Sequence, residues 1–144
     1  MARGIRLNHG SAYAGDPEAA AHHLAALSGG GVESFHPLEG GWVCLLEGSW
    51  SGALIEFYPR TATLAHEQGR VLFRPLDTPA RGGGSHFNLS LPRSRGELER
   101  ISRERGLPHA WRDWAGFLDV WLEPDLLIEC VPDETPRGRG RSRP

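Results

Sequence analysis

Two histidines and two glutamates stand at matched places in this sequence, and together they carry the chemistry of a divalent-metal site. His9 and His86 each lie in a strand-like stretch that precedes a helix. Glu56 and Glu129 each interrupt an apolar strand, Leu54-Ile55-Glu56-Phe57 and Leu127-Ile128-Glu129-Cys130. An unpaired buried carboxylate is too costly, so both glutamates are expected to face solvent or a cavity. Two imidazoles and two carboxylates suit Ni, Zn, Mn, Co or Fe and leave positions open for water or substrate. Such an ion polarises a carbonyl or holds an enediolate, and a carboxylate that leaves it can act as a base. Residue types alone do not single out this set. The other reading makes both histidines partly exposed strand residues and both glutamates part of a solvated face.

The elements that must position these residues occur twice. The stretch Ser85-His86-Phe87-Asn88-Leu89-Ser90-Leu91-Pro92 alternates strictly, with His86, Asn88 and Ser90 on one face and Phe87, Leu89 and Leu91 on the other. A helix over about Arg95–Arg105 follows, opened by Ser94 and Glu97 at capping-box spacing and stopped by Gly106. Near the start of the chain, a strand from Ile5 to about Ala12 leads to Asp16 as helix cap and Pro17 at the first helical position. That helix ends at Gly29-Gly30. Strands are expected at Val32–Pro37, Trp42–Glu47 and Ala53–Tyr58 in the first half. The second half repeats them at Pro108–Arg112, Phe117–Leu122 and Leu126–Val131. Each half reads β-α-β-β-β. The expected organisation is module one at about 5–58, a linker at 59–84 and module two at 85–132, within one domain over 1–132. The linker holds one apolar patch, Val71-Leu72-Phe73, and closes in a flexible Arg81-Gly82-Gly83-Gly84. The Arg-rich tail at 133–144 is expected to be disordered.

Composition bounds the function classes. A chain of 144 residues with 39% hydrophobic and 24% charged residues is one ordinary globular domain. A net charge of -2 gives no argument for nucleic acid or an anionic membrane, and neither is expected as a partner. All 16 basic residues are arginine, so lysine Schiff-base chemistry is excluded. No signal peptide is evident, and no apolar run approaches the ~18 residues of a membrane span. Cys44 and Cys130 read as buried reduced thiols of a cytoplasmic protein.

The two βαβββ units resemble the vicinal oxygen chelate superfamily of glyoxalase I, bleomycin-resistance proteins, fosfomycin-resistance enzymes and extradiol dioxygenases. The segments that carry the resemblance are His9 through Asp16-Pro17-Glu18-Ala19-Ala20, Ala53-Leu54-Ile55-Glu56-Phe57, His86 through Leu91-Pro92, and Leu127-Ile128-Glu129. It covers about Ile5 to Pro132. The resemblance implies an α+β fold in which two βαβββ modules form a curled mixed sheet around a cleft, with helices on the outside. It places metal ligands on the first and last strands of each module, at the positions of His9, Glu56, His86 and Glu129. It also implies homodimers, some with the site built across subunits. The flanking sequences lack stretches associated with glutathione-dependent glyoxalase I, so lactoylglutathione lyase is not the expected activity.

Other residues fit around such a cleft. Trp111, Trp114, Phe117 and Trp121 could stack on a planar ligand or pack core and dimer contacts. Arg60 and Arg112 could hold a substrate carboxylate or sit on the surface. Asp119 could orient a ligand histidine from behind. His22 and His23 read as exposed, and His36, His66 and His109 have no evident partner. The first expectation is a metal-dependent isomerase, epimerase or lyase on a small oxygen-chelating substrate, with Glu56 or Glu129 as base. The alternative is a metal-free protein that binds an aromatic or cationic small molecule, as the drug-binding members of the superfamily do. A third reading is a regulatory or structural dimer whose cleft is filled by its own side chains.

Overall fold

The computed structural model describes residues 7–81 and 84–134. Most of the expected tail, together with Gly82 and Gly83, lies outside the described residues.

Module one begins with β1 (His9–Ala14), which leads directly into α1 (Pro17–Ser28). Asp16 accepts from the Ala19 amide at 2.9 Å, and Pro17 occupies the first turn, where a missing N–H costs nothing. The helix stops at Gly29, whose φ of 79° is left-handed and lets its N–H bond back to Ala25. Three strands follow, β2 (Gly31–Ser34), β3 (Trp42–Leu45) and β4 (Leu54–Pro59). They order as β1-β4-β3-β2, with β1 parallel to β4 and the rest antiparallel.

Module two repeats this plan. Its elements are β7 (Ser85–Leu91), α2 (Arg95–Glu104), β8 (His109–Arg112), β9 (Phe117–Glu123) and β10 (Leu126–Pro132). The sheet order is β7-β10-β9-β8, again with first and last strands parallel. Ser94 and Glu97 form the complete capping box that their spacing predicts. The α+β class and the two four-stranded modules agree with the sequence reading.

One core joins the modules. Leu24 and Leu27 of α1, Phe57 of β4, Leu98 of α2, Leu118 of β9 and Ile128 of β10 belong to a single buried cluster. Helix α1 touches both α2 and β9 as well as its own sheet. On the module boundary, Phe87 of β7 comes so close to Gly10 of β1 that a Cβ there would sit 3.2 Å from its ring. Arg60 forms a second tie at the far end of β4. Its guanidinium holds both oxygens of Asp125 at 2.7 and 2.8 Å and reaches Glu123 at 3.4 Å. Glu123 in turn accepts from the amides of Gly15 and Asp16, both at 2.8 Å.

The segment read as a linker contains a hairpin of β5 (Ala62–Glu67) and β6 (Arg70–Pro75). Its turn is Gln68-Gly69, with φ of 47° and 75°, the positive pair that two-residue hairpins favour. Phe73 packs edge-on against Tyr58 and Phe35 at ring distances of 5.2 and 5.9 Å. The hairpin is thereby docked against module one, and Tyr13 ties it further with a 2.7 Å bond to Thr63. Among the described residues, no helix is long and apolar enough to cross a membrane.

Candidate functional site

Strand alternation sends Gly10, Ala12 and Ala14 of β1 towards the core and leaves His9, Ser11 and Tyr13 on the opposite face. In module two the same rule points Phe87, Leu89 and Leu91 inward and His86, Asn88 and Ser90 outward. Both candidate histidines therefore face away from the core, as the sequence pattern predicts. The parallel ladders then fix which residue stands beside each glutamate. Glu56 pairs with Ser11, whereas His9 pairs with Leu54. Glu129 pairs with Asn88, whereas His86 pairs with Leu127. In both modules the histidine is displaced by two residues from its glutamate, roughly 6–7 Å along the strand.

Each glutamate already has partners. The Tyr58 hydroxyl, two residues along β4, donates a hydrogen bond to Glu56. Burial, and then the Glu56 carboxylate, push the Tyr58 hydroxyl well above the usual tyrosine range, so it keeps its proton. Glu129 accepts from the Asn88 amide at 3.1 Å and from Arg112 Nη1 at 3.2 Å. Arg112 holds Asp119 as well, through Nε at 3.0 Å and Nη2 at 2.8 Å. Asp119 is only 6% exposed, so its charge needs that guanidinium. Phe117 and Trp114 flank the same cation, with ring centres at 4.7 and 5.4 Å.

Across module two the row Asn88–Glu129–Asp119 runs over three strands with Arg112 bridging the last two. A fixed positive charge is in contact with the carboxylate that a metal ion would need. Like charges a few ångströms apart repel strongly away from bulk water. In module one, the place beside Glu56 holds a serine, a poor ligand for the metals considered. Among the described residues, no three His, Cys, Asp or Glu side chains are grouped so as to hold a metal ion. The expected set of His9, Glu56, His86 and Glu129 is not assembled.

The structure does bring the two histidines together. His9 and His86 line one cavity of about 370 Å³, whose apolar walls include Leu54, Ile55 and Phe87. Asn88 lines it too, and connects its rim to Glu129 and Arg112. Neither Glu56 nor Glu129 is among the residues that line it.

The aromatic residues of the second half are dispersed. Trp111 packs against the core beneath α2, where Arg95 lies 4.2 Å from its ring. Trp114 is 84% exposed, and Trp121 lines a different cavity. Arg60 and Arg112, weighed as substrate anchors or surface charges, both hold carboxylates of this chain. Asp119 supports Arg112 in place of a ligand histidine. Cys44 and Cys130 are both free and buried, and burial pushes their thiols up to about 11 and about 12.

Ser11, Tyr58 and Asn88 were not singled out by sequence reasoning. The signal available for Asn88 was its shared face with His86, since both lie on the outward side of β7.

No protein-family model matches the sequence, and no curated protein matches it either. Solved structures do match over nearly the whole chain. Lactoylglutathione lyase from Agrobacterium tumefaciens aligns with a TM-score of 0.55 at 15% identity, covering 92% of this chain and 96% of that one. Oxidase ChaP-H1 aligns with a TM-score of 0.54 at 21% identity, covering 90% and 97%. An integron cassette protein from the mobile metagenome of V. cholerae aligns with a TM-score of 0.53 at 14% identity, covering 92% and 98%. At these identities the likeness concerns the fold. With its paired βαβββ modules and these neighbours, the chain has the fold of the vicinal oxygen chelate superfamily.

Proposed function

We propose that this protein binds a small aromatic molecule without a metal ion, in the cavity between the beginnings of β1 and β7. The observation that carries the reading is the Arg112 guanidinium, held between Asp119 and Glu129. It fills the cationic role at the very carboxylate the resemblance nominates as a ligand. The metal-dependent isomerase or lyase reading also needs a free base. Glu56 is bonded to Tyr58 and Glu129 to Asn88 and Arg112, which argues for binding over proton abstraction.

The cavity supports the same conclusion. Its volume of about 370 Å³ suits a ligand of one or two fused rings. Leu54, Ile55 and Phe87 offer apolar walls, while His9, His86 and Asn88 offer a few hydrogen-bonding groups that can fix orientation. A homodimeric, cytoplasmic protein belongs to this reading, and sedimentation of the purified protein tests the dimer.

The test is a ligand screen by thermal shift against planar heteroaromatic compounds, run on the parent and on Leu54→Trp and His86→Ala variants. The reading predicts a hit whose stabilisation is lost when Leu54→Trp fills the cavity and weakened in His86→Ala. Hits unaffected by either substitution would place binding elsewhere and overturn it.

A further inference from the structure

A second cavity lies away from the His9–His86 site and shares no lining residue with it. It measures about 540 Å³ and sits where His23 of α1, the end of α2 and the end of β9 converge. Leu107 and Leu122 are 6% and 7% exposed and form its apolar floor, and Trp121 also lines it. That volume lies within the range of small-molecule pockets.

One cation, Arg105, stands on its wall, and it differs from the arginines that hold a carboxylate. Arg60, Arg74, Arg95, Arg100 and Arg112 each hold a carboxylate of this chain. Arg105 forms no such ion pair among the described residues, and its partner is His23, with Nη1 3.1 Å from Nδ1. The guanidinium can only donate, so Nδ1 of His23 must be the unprotonated, accepting nitrogen. Burial, and next the Arg105 charge, lower the His23 pKa and favour this neutral form. The cavity thus carries an arginine bonded to a neutral acceptor, with no ion-pair partner among the described residues.

The remaining charged residue on the wall does not compete for it. Glu123 spends its oxygens on the Gly15 and Asp16 amides and on Arg60. Its negative charge also disfavours a ligand with a second anionic group nearby. An apolar floor, an aromatic residue on the wall and one guanidinium free of ion pairs among the described residues together define the ligand class. We propose that this cavity binds a small aromatic monocarboxylate, its ring against Trp121 and its carboxylate on Arg105.

The probe is 2-naphthoate, with the isosteric neutral 2-naphthamide as control, titrated into the full chain. Indole N–H resonances of Trp121 and Trp114, assigned by substitution, report the position of binding. The expected result is a saturable shift of the Trp121 signal with naphthoate and little change at Trp114. The amide should bind roughly tenfold more weakly, as loss of a charged hydrogen bond implies. Arg105 is exposed, so Arg105→Gln should fold normally and reduce naphthoate binding to the amide's level. Three results would each overturn the proposal: a Trp121 signal unmoved by naphthoate, equal binding of acid and amide, or parent-like affinity in Arg105→Gln. None of these bears on the His9–His86 cavity, whose test uses different residues.

Discussion

Glu129 lies beside Asn88 in the parallel β7–β10 ladder, and its carboxylate accepts from the Asn88 amide at 3.1 Å. The neighbour is therefore an amide and not the imidazole of His86. Module one repeats the relationship, with Ser11 beside Glu56. The same offset in both modules separates the histidines from the glutamates and gives each group a different occupation. The histidines line a largely apolar cavity, and the glutamates take part in hydrogen bonds within the chain.

The arginine in module two is expected to be structural as well as exclusionary. Arg112→Leu leaves Asp119 and Glu129 with no guanidinium, which should destabilise the fold by about 2 kcal/mol after allowance for partial exposure of the pair. Urea denaturation measures the change. The variant should also gain weak affinity for Zn or Ni, since the carboxylates of Asp119 and Glu129 are then left without their cation. Parent-like stability together with no gain in metal affinity would contradict the role assigned to Arg112.

The two buried thiols give a defined alkaline response. Their pKa values stand at about 11 and about 12 in the folded chain, above the ordinary thiol value. The folded state thus holds these protons more tightly than the unfolded state. Their contribution is complete below the unfolded thiol pKa and is lost as pH rises from about 9 through 11 and 12, at up to about 1.4 kcal/mol per pH unit for each thiol. Stability of the parent should fall across that window, and Cys130→Ala should flatten the fall. Thiol reagents at pH 8 should react only as fast as the chain opens.

Helix α1 leaves through a place where no side chain fits. A Cβ on Gly30 would lie 2.2 Å from the Leu45 carbonyl oxygen of β3. Gly30→Ala must displace backbone, and a loss of about 1–3 kcal/mol is expected from denaturant titration. An unchanged midpoint would mean that β3 shifts freely at this point.

The β5–β6 hairpin should be separable from the core in its dynamics. Phe73 is its aromatic contact with Tyr58 and Phe35, and it does not belong to the central cluster. Phe73→Ala should speed proteolytic cleavage within residues 60–81 several-fold while leaving the global unfolding transition nearly in place. Loss of the whole fold on this substitution would show the hairpin to be part of the cooperative core.

Much of the fold was legible because its signals are local. Asp16-Pro17, the Ser94–Glu97 box and Gly29 each specify a helix boundary by chemistry within a few residues, and all three act as expected. The site was less legible because strand alternation assigns a face but not a register. His86 and Asn88 share a face, so period two cannot say which of them meets Glu129. Matching histidine to histidine across the repeat gave a consistent pattern, displaced by two residues in both modules. The hairpin escaped notice for a different reason. Its turn is Gln68-Gly69 rather than a stronger Asn-Gly signal, and β5 carries little apolar alternation. Arg112 looked like a surface charge because its partners, Asp119 and Glu129, come from two other strands.

The proposed metal-free binding rests on the guanidinium that already serves Glu129. The most direct measurement is metal content of untagged protein after incubation with Ni, Zn, Mn and Fe and removal of free ion, beside a Glu129→Ala variant. The account predicts far less than one equivalent of any metal in the parent and no difference in the variant. Near-stoichiometric metal in the parent, lost in Glu129→Ala, would contradict it and restore a chelate site at Glu129.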